Sequence, residues 1–200
     1  MVLSRHTLTS RAPELVRSIR KYLASYTHWW RWNMSDPVVC VNVPTFFYSN
    51  GRGDELRETF NWVCEVLKNR AYTNGTRYYY GPDPFLYFFS RLLSVSIYAR
   101  QRIDQLFAKR VAEHFGAEGD ALALAMRIHA ATVVNLCDSR DYERLGGMQE
   151  ADGSWPIGWI CRIAAKGILI GNKGLTTAFA VSAMRNLKYK KLKRRLRSVD

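Results

Sequence analysis

The 200-residue sequence has few cysteines, no long apolar run and a shortage of acidic residues. Its four cysteines form no CxxC pair, which argues against a disulfide-stapled secreted module. No apolar run reaches the roughly 18 residues of a membrane helix, and the N-terminal segment lacks the apolar core of a signal peptide. That segment is basic up to Glu14 and fits either a transit peptide or a surface helix. We predict a soluble, cytoplasmic protein with reduced thiols.

The shortage of acids leaves 17 Asp and Glu against 30 Lys and Arg, a net charge of +13. About half of this excess lies in a tail, residues 188–200, which contains seven Lys and Arg. Such a tail can bind nucleic acid, anionic lipid or an import receptor. The simpler interpretation, which we favour, is a solvated helix end where cations complement the helix C-terminus.

Apolar spacing predicts an almost entirely helical chain with helices of two kinds. Helices with one apolar stripe are predicted to begin at Pro13, Asp54 and about Arg100. Helices that are apolar nearly all round are predicted to begin at Asp36, Asp83 and Asp120. An all-round apolar helix must be covered on several sides, whereas a striped helix keeps one face in water. The alternation therefore predicts an inner apolar layer wrapped by amphipathic outer helices.

One local motif stands out after these helices. Gln149 precedes a Gly153-Ser-Trp155 turn, and a helix of small residues starts near Gly174. Glycine permits the tight turn, the Gln side chain can tie one helix end to the next helix, and the indole can stack on it. A less similar second copy lies at residues 74–80, where the aromatic residues are three tyrosines.

This motif resembles the Gln…Gly-x-Trp element of the α/α-toroid superfamily of terpenoid cyclases and protein prenyltransferases. Residues 42–93 are similar to uncharacterised fungal toroid-like proteins, many of which are encoded near secondary-metabolite genes. The resemblance implies an all-α fold, an incomplete α/α toroid over residues 36–187. An N-terminal helix and Trp-rich loop (1–35) would precede it, and the basic tail (188–200) would follow. An unrelated helical array is the alternative.

The length limits such a ring to about four hairpins at the observed spacing. The resemblance therefore implies an open ring: a fragment, a reduced paralogue or half of an oligomer. Its exposed inner helices would need a protein partner or a second copy.

The chemistry of the resembled enzymes is only partly represented. Class II terpenoid cyclases protonate their substrate with the central Asp of an Asp-x-Asp-Asp motif, which this sequence lacks, as it lacks the class I Asp-Asp-x-x-Asp motif. His129, Cys137 and Asp138 do not match the order of the prenyltransferase zinc ligands, so we predict no metal or cofactor. Asp83 is the candidate catalytic acid. Its simpler interpretation is a helix N-cap.

A cluster of aromatic residues is the candidate lining of a cavity, where ring faces could stabilise a carbocation. Its members are Tyr78, Tyr79, Tyr80, Phe85, Tyr87, Phe88 and Phe89. The alternative is that they pack an inner helix, as we expect of His129. We predict a terpenoid-cyclase-like protein of fungal secondary metabolism that binds or acts on a hydrophobic small molecule. The second hypothesis is a non-enzymatic scaffold whose tail binds RNA, anionic lipid or a protein.

Overall fold

A computed structural model describes residues 36–163 and 166–197, with side chains described as far as residue 185. The predicted helix from Pro13 and the Trp-rich loop lie outside the described residues. Seven α-helices occur in this part of the chain: α1 (Pro37–Ser49), α2 (Arg57–Lys68), α3 (Asp83–Val95), α4 (Ile97–Ala112), α5 (Ala121–Val133), α6 (Ser139–Gly147) and α7 (Lys173–Arg197). A short 3-10 helix, Gly53–Leu56, precedes α2. Two strands, β1 (Trp159–Ile163) and β2 (Ile168–Gly171), precede α7.

The helices form two layers. Helices α1, α3, α5 and α7 pack side by side in chain order, and they include the three helices predicted to be apolar all round. Helix α2 packs on α1, α4 packs on α3, and α6 packs on α5. Helices α2, α4 and α6 therefore form the outer layer that covers the inner row. The prediction of an all-α fold is confirmed, apart from the small hairpin. None of the described helices is long and apolar enough to cross a membrane.

Local capping explains where the inner helices begin. Asp36 caps α1 and is followed by Pro37 in the first turn, and Asp120 caps α5 by accepting from the N–H of Ala123 at 2.9 Å. Pro44 lies inside α1, and the helix continues past it. Ser96 caps α4, so this helix starts at Ile97 rather than at Arg100.

Two other predicted helix starts, at Asp54 and Asp83, are wrong in their N-cap residue. Asp54 lies within the 3-10 helix and pairs with Arg57 at 2.8 Å, and α2 begins with no side-chain cap. Asp83 is the first residue of α3 rather than its N-cap, and Pro82 occupies the cap position without a side-chain hydrogen bond. The reason is that the Asp83 carboxylate is used elsewhere, in a buried ion pair.

The β-hairpin is an element that the helical spacing did not predict. β1 and β2 pair antiparallel, with Cys161 opposite Ile170 and Ile163 opposite Ile168. The chain before α3 adds a third edge, because Tyr79 bridges to Cys161 and the N–H of Tyr80 donates to the carbonyl of Ile160 at 3.2 Å.

The two aspartates that cap inner helices, Asp36 and Asp120, also join those helices to this sheet. Asp36 accepts from the Val38 N–H with one carboxylate oxygen and from the Tyr78 N–H, at 3.1 Å, with the other. Asp120 uses its second oxygen to accept from the Trp159 N–H at 2.8 Å. Each cap therefore fixes a helix start and a strand start together, which places the sheet across the N-terminal ends of the inner helices.

Candidate functional site

Asp83 belongs to a buried ion cluster between three helices. Its two carboxylate oxygens accept from Arg127 of α5 at 3.0 and 3.2 Å. Arg127 also donates to both oxygens of Asp141, on α6, at 3.2 and 3.0 Å. The three residues are 3%, 1% and 1% exposed, so water does not solvate these charges. The cluster therefore ties α3, α5 and α6 together.

Arg144 also lies 3.9 Å from Asp141 and is partly exposed, so the two buried carboxylates face one buried and one partly exposed guanidinium. Burial raises the pKa of Asp141, and attraction to Arg127 opposes that rise. Arg127 also donates to the carbonyl of Ala117 at 2.9 Å, which fixes its position. The candidate acid Asp83 is thus held in place as an ion-pair partner of Arg127.

A cavity of about 480 Å³ opens beside Asp83 at the N-terminal ends of α3 and α5. The residues that define its chemistry are Asp83, Asp120, Tyr80, Trp159 and Arg162. Tyr80 and Trp159 are 49% and 38% exposed, so they offer ring surface to a ligand. We call this space the Asp83 cavity.

Arg162 contributes a cation to the wall of the Asp83 cavity. One of its terminal nitrogens, Nη2, donates to the carbonyl of Thr76 at 2.7 Å. Its Nε is buried and has no hydrogen-bond partner within the part of the chain that the structure describes. The guanidinium is thereby held on the sheet with donor capacity left over. The sequence analysis did not single out Arg162, because its role depends on the unpredicted hairpin.

The three consecutive tyrosines have different surroundings. Tyr80 lines the Asp83 cavity, whereas Tyr79 packs edge-on against Phe88 at 6.0 Å. Tyr78 is 47% exposed and lies under the guanidinium of Arg77 at 5.4 Å. One of the three therefore faces the cavity.

The four aromatic residues of α3 also separate into two groups. Phe85 and Phe89 are fully buried, stacked on Tyr72 at 4.7 Å and on Phe107 at 5.5 Å. Both lie in the main core and not at the Asp83 cavity. Tyr87 and Phe88 are half-buried and lie on the side of α3 that faces other inner helices.

Tyr87 belongs to an aromatic cluster that joins three inner helices. Its ring lies 5.9 Å from that of His129 on α5 and 5.0 Å from that of Phe179 on α7. The Nε2 of His129 lies 3.4 Å from the carbonyl oxygen of Phe179, and burial lowers the pKa of this histidine. His129 therefore packs between the inner helices, as we expected.

The Gln149 motif forms a compact turn. The Gln149 amide donates to the carbonyl of Gly153 at 3.0 Å, and Gly153 has φ +82°, a conformation that favours glycine. The buried Trp155 indole donates to the carbonyl of Leu145, on α6, at 2.7 Å. The hydrogen bond from Gln149 to Gly153 thus closes the turn, and the hydrogen bond from Trp155 to Leu145 attaches that turn to α6.

The link from this turn to α7 comes from two threonines. Thr177 Oγ1 accepts from the N–H of Trp155 at 3.1 Å, and Thr176 Oγ1 accepts from the N–H of Gly158 at 2.9 Å. The small residues predicted at the start of this helix thus also act as hydrogen-bond acceptors through their hydroxyls, a role that the sequence pattern did not indicate. Among the described residues no group of three His, Cys, Asp or Glu side chains is arranged to hold a metal ion.

The layered helix hairpins, together with a cavity that carries carboxylates and aromatic rings, define an all-α protein with a candidate small-molecule site. Over 151 residues, which is 74% of its length, the chain is 42% identical to drimenol cyclase drtB of Aspergillus calidoustus. The chain is thus terpenoid-cyclase-like and similar to a fungal protein. The match spans 29% of that relative's length. No family model matches the chain, and no solved structure matches it significantly.

Proposed function

We propose that this chain belongs to a terpenoid cyclase of fungal secondary metabolism and that its Asp83 cavity binds a hydrophobic terpenoid. The observation that carries the proposal is the cavity itself. Its volume, about 480 Å³, falls in the range typical of small-molecule sites, roughly 300–1,000 Å³. Exposed rings of Tyr80 and Trp159 stand beside buried carboxylate, which is the combination that a cationic, apolar intermediate would need.

In this proposal each group has a distinct role. The faces of Tyr80 and Trp159 bind the hydrocarbon and stabilise positive charge on it. Asp83 is the candidate acid, and its ion pair with Arg127 fixes the position of its carboxyl group at the cavity wall.

Binding is tested by titrating the chain with drimenol and with farnesol, an acyclic isoprenoid alcohol, while tryptophan fluorescence is followed. We expect saturable quenching that Trp159→Phe largely removes and that Tyr80→Ala weakens several-fold. Tyr78→Ala is the matched control, because this tyrosine is equally exposed on the same strand and does not line the cavity. Equal weakening by the two tyrosine variants would reject the assignment of the cavity.

The acid role of Asp83 is tested in the full-length enzyme with Asp83→Asn. We expect loss of cyclised product by gas chromatography, with helical circular dichroism retained. Turnover that stays at the wild-type level would remove Asp83 from the mechanism while leaving the binding proposal intact.

The edge of the inner layer suggests a protein partner. On α1, Val39 and Phe46 are 44% and 39% exposed and lie seven residues apart, on one helix face. We propose that a further helix hairpin covers this face, from a second copy or from another part of the same protein. Phe46→Ser should shift the oligomeric state in light scattering if a second copy is involved.

A second candidate function, a scaffold that binds through its basic end, is favoured by one observation. Helix α7 continues without a break to Arg197, so the cations of the tail are carried on a helix. Salt-dependent RNA binding that disappears when Lys190, Lys191 and Lys193 are changed to Gln would support this function.

A further inference from the structure

The β-hairpin presents three isoleucines on one face. Alternate residues of a strand point to the same side, and paired residues of neighbouring strands share a side. Ile163 pairs with Ile168, and Ile170 pairs with Cys161, so the three isoleucines lie together. Each is 43–49% exposed. The other face of the hairpin carries Arg162, which lines the Asp83 cavity. We call Ile163, Ile168 and Ile170 the isoleucine face.

Within the described part of the chain, nearly half of each of these three side chains stays open to solvent. A contiguous group of large aliphatic side chains on a two-stranded ribbon costs solvation free energy and usually marks an interaction surface. Aliphatic side chains have neither hydrogen-bonding groups nor π-faces. A nucleic acid, which binds through stacking and phosphate contacts, therefore has little to gain from them. The hydrocarbon interior of a membrane, by contrast, is a favourable environment for aliphatic side chains.

Charge around the hairpin favours an anionic surface. Residues 153–173, which include the hairpin, contain three Lys and Arg and no Asp or Glu. Lys166 is exposed in the hairpin turn, and Arg77 is exposed beside Tyr78 at the third edge of the sheet. The carboxylates of Asp36 and Asp120 accept hydrogen bonds from the chain itself, and Lys173 is paired with Glu150. The cations near the isoleucine face are thus not balanced by neighbouring acids on the hairpin.

We propose that the β-hairpin is a docking element for an anionic membrane surface. The isoleucine face enters the boundary between headgroups and acyl chains, and Lys166 and Arg77 contact lipid phosphates. This inference is independent of the proposed cyclase function, because it concerns the opposite face of the hairpin from the Asp83 cavity.

The test is flotation of the whole chain with vesicles of phosphatidylcholine alone or with added phosphatidylserine. The triple change Ile163→Thr, Ile168→Thr and Ile170→Thr keeps β-branched side chains and so keeps the strands. We expect it to lower the partition coefficient about tenfold or more, because three buried aliphatic groups are lost. Lys166→Glu should weaken binding to the phosphatidylserine vesicles and leave any weak binding to pure phosphatidylcholine unchanged.

Ile97→Thr is the matched control, since Ile97 is 78% exposed at the start of α4, away from the hairpin. It should bind as the wild type does. If the triple variant loses its circular dichroism spectrum, Ile168→Asp alone tests the same face. The proposal is overturned if folded hairpin variants float like the wild type, or if the wild type binds single-stranded RNA but neither vesicle. It also fails if changing Lys190, Lys191 and Lys193 to Gln abolishes flotation while the isoleucine variants retain it.

Discussion

Replacing Arg127 with Met tests whether the buried ion cluster holds the helix layers together. Methionine preserves much of the arginine volume but removes the charge, which leaves Asp83 and Asp141 buried without their common partner. All three side chains are at most 4% exposed, so solvent cannot replace the guanidinium. Breaking a buried pair in this way costs about 3–5 kcal/mol of unfolding free energy. That is a large share of the roughly 5–15 kcal/mol by which a domain is stable.

The pH dependence of this loss distinguishes an electrostatic cause from a packing cause. In the variant, the pKa of Asp141, which burial already raises, loses the opposing attraction of Arg127 and should rise further above its unfolded value of about 3.9. A raised folded pKa means that stability is present at low pH and is lost as pH rises through that pKa. The penalty should therefore be larger at pH 7 than at pH 5. In the wild-type protein the raised pKa of Asp141 has the same sign of effect.

The assay is urea unfolding followed by circular dichroism at both pH values. Arg100→Met is the control, because Arg100 pairs with Asp104 at 3.4 Å on the surface, where such a pair contributes below about 1 kcal/mol. Adding Asp83→Asn and Asp141→Asn to Arg127→Met should recover part of the loss, since no buried charge is then left unpaired. A loss below about 1 kcal/mol, or one of equal size at both pH values, would refute the reasoning.

Two further changes probe the turn and strand beside α7 by the same urea assay. In Gly158→Ala the new methyl group would overlap Leu122, which should cost about 1–3 kcal/mol. Gly147→Ala is its control, because a methyl group there meets no atom within 4 Å and removes backbone freedom of the unfolded chain, so stability should stay equal or rise. Trp155→Phe keeps the ring packing but removes one of the two hydrogen bonds that the Leu145 carbonyl accepts, the other coming from the N–H of Met148 at 3.2 Å, for an expected loss of about 0.5–1.5 kcal/mol.

Sequence patterns succeeded where the determinant is local. Asp36 with Pro37, and Gly119 with Asp120, lie directly before the helices that they start, and a cap acts over three or four residues. The all-round apolar character of three segments also predicted their burial in one layer, because a helix without a wet face must be covered. These features need no knowledge of distant residues.

Long-range pairing explains what was missed. Asp83 looked like a cap because its partner Arg127 is 44 residues away and Asp141 is farther still. The hairpin was missed because its apolar segments are short, and short apolar runs do not separate strand from helix. The turn residues between the β-branched segments, Lys166 and Gly167, were the available signal. Without the hairpin, Arg162 and Trp159 could not be assigned to the cavity.

The departure of Asp83 from its own repeat is the strongest structural argument for its importance. Asp36, Asp83 and Asp120 stand at the starts of successive inner helices, and the first and third each cap a helix and hold a strand. Asp83 lies one position further into its helix and is directed to Arg127 instead. That helix consequently starts without a side-chain cap, at a cost of typically about 1 kcal/mol. Local rules are broken most often where function requires it, and here the break occurs at the wall of the cavity.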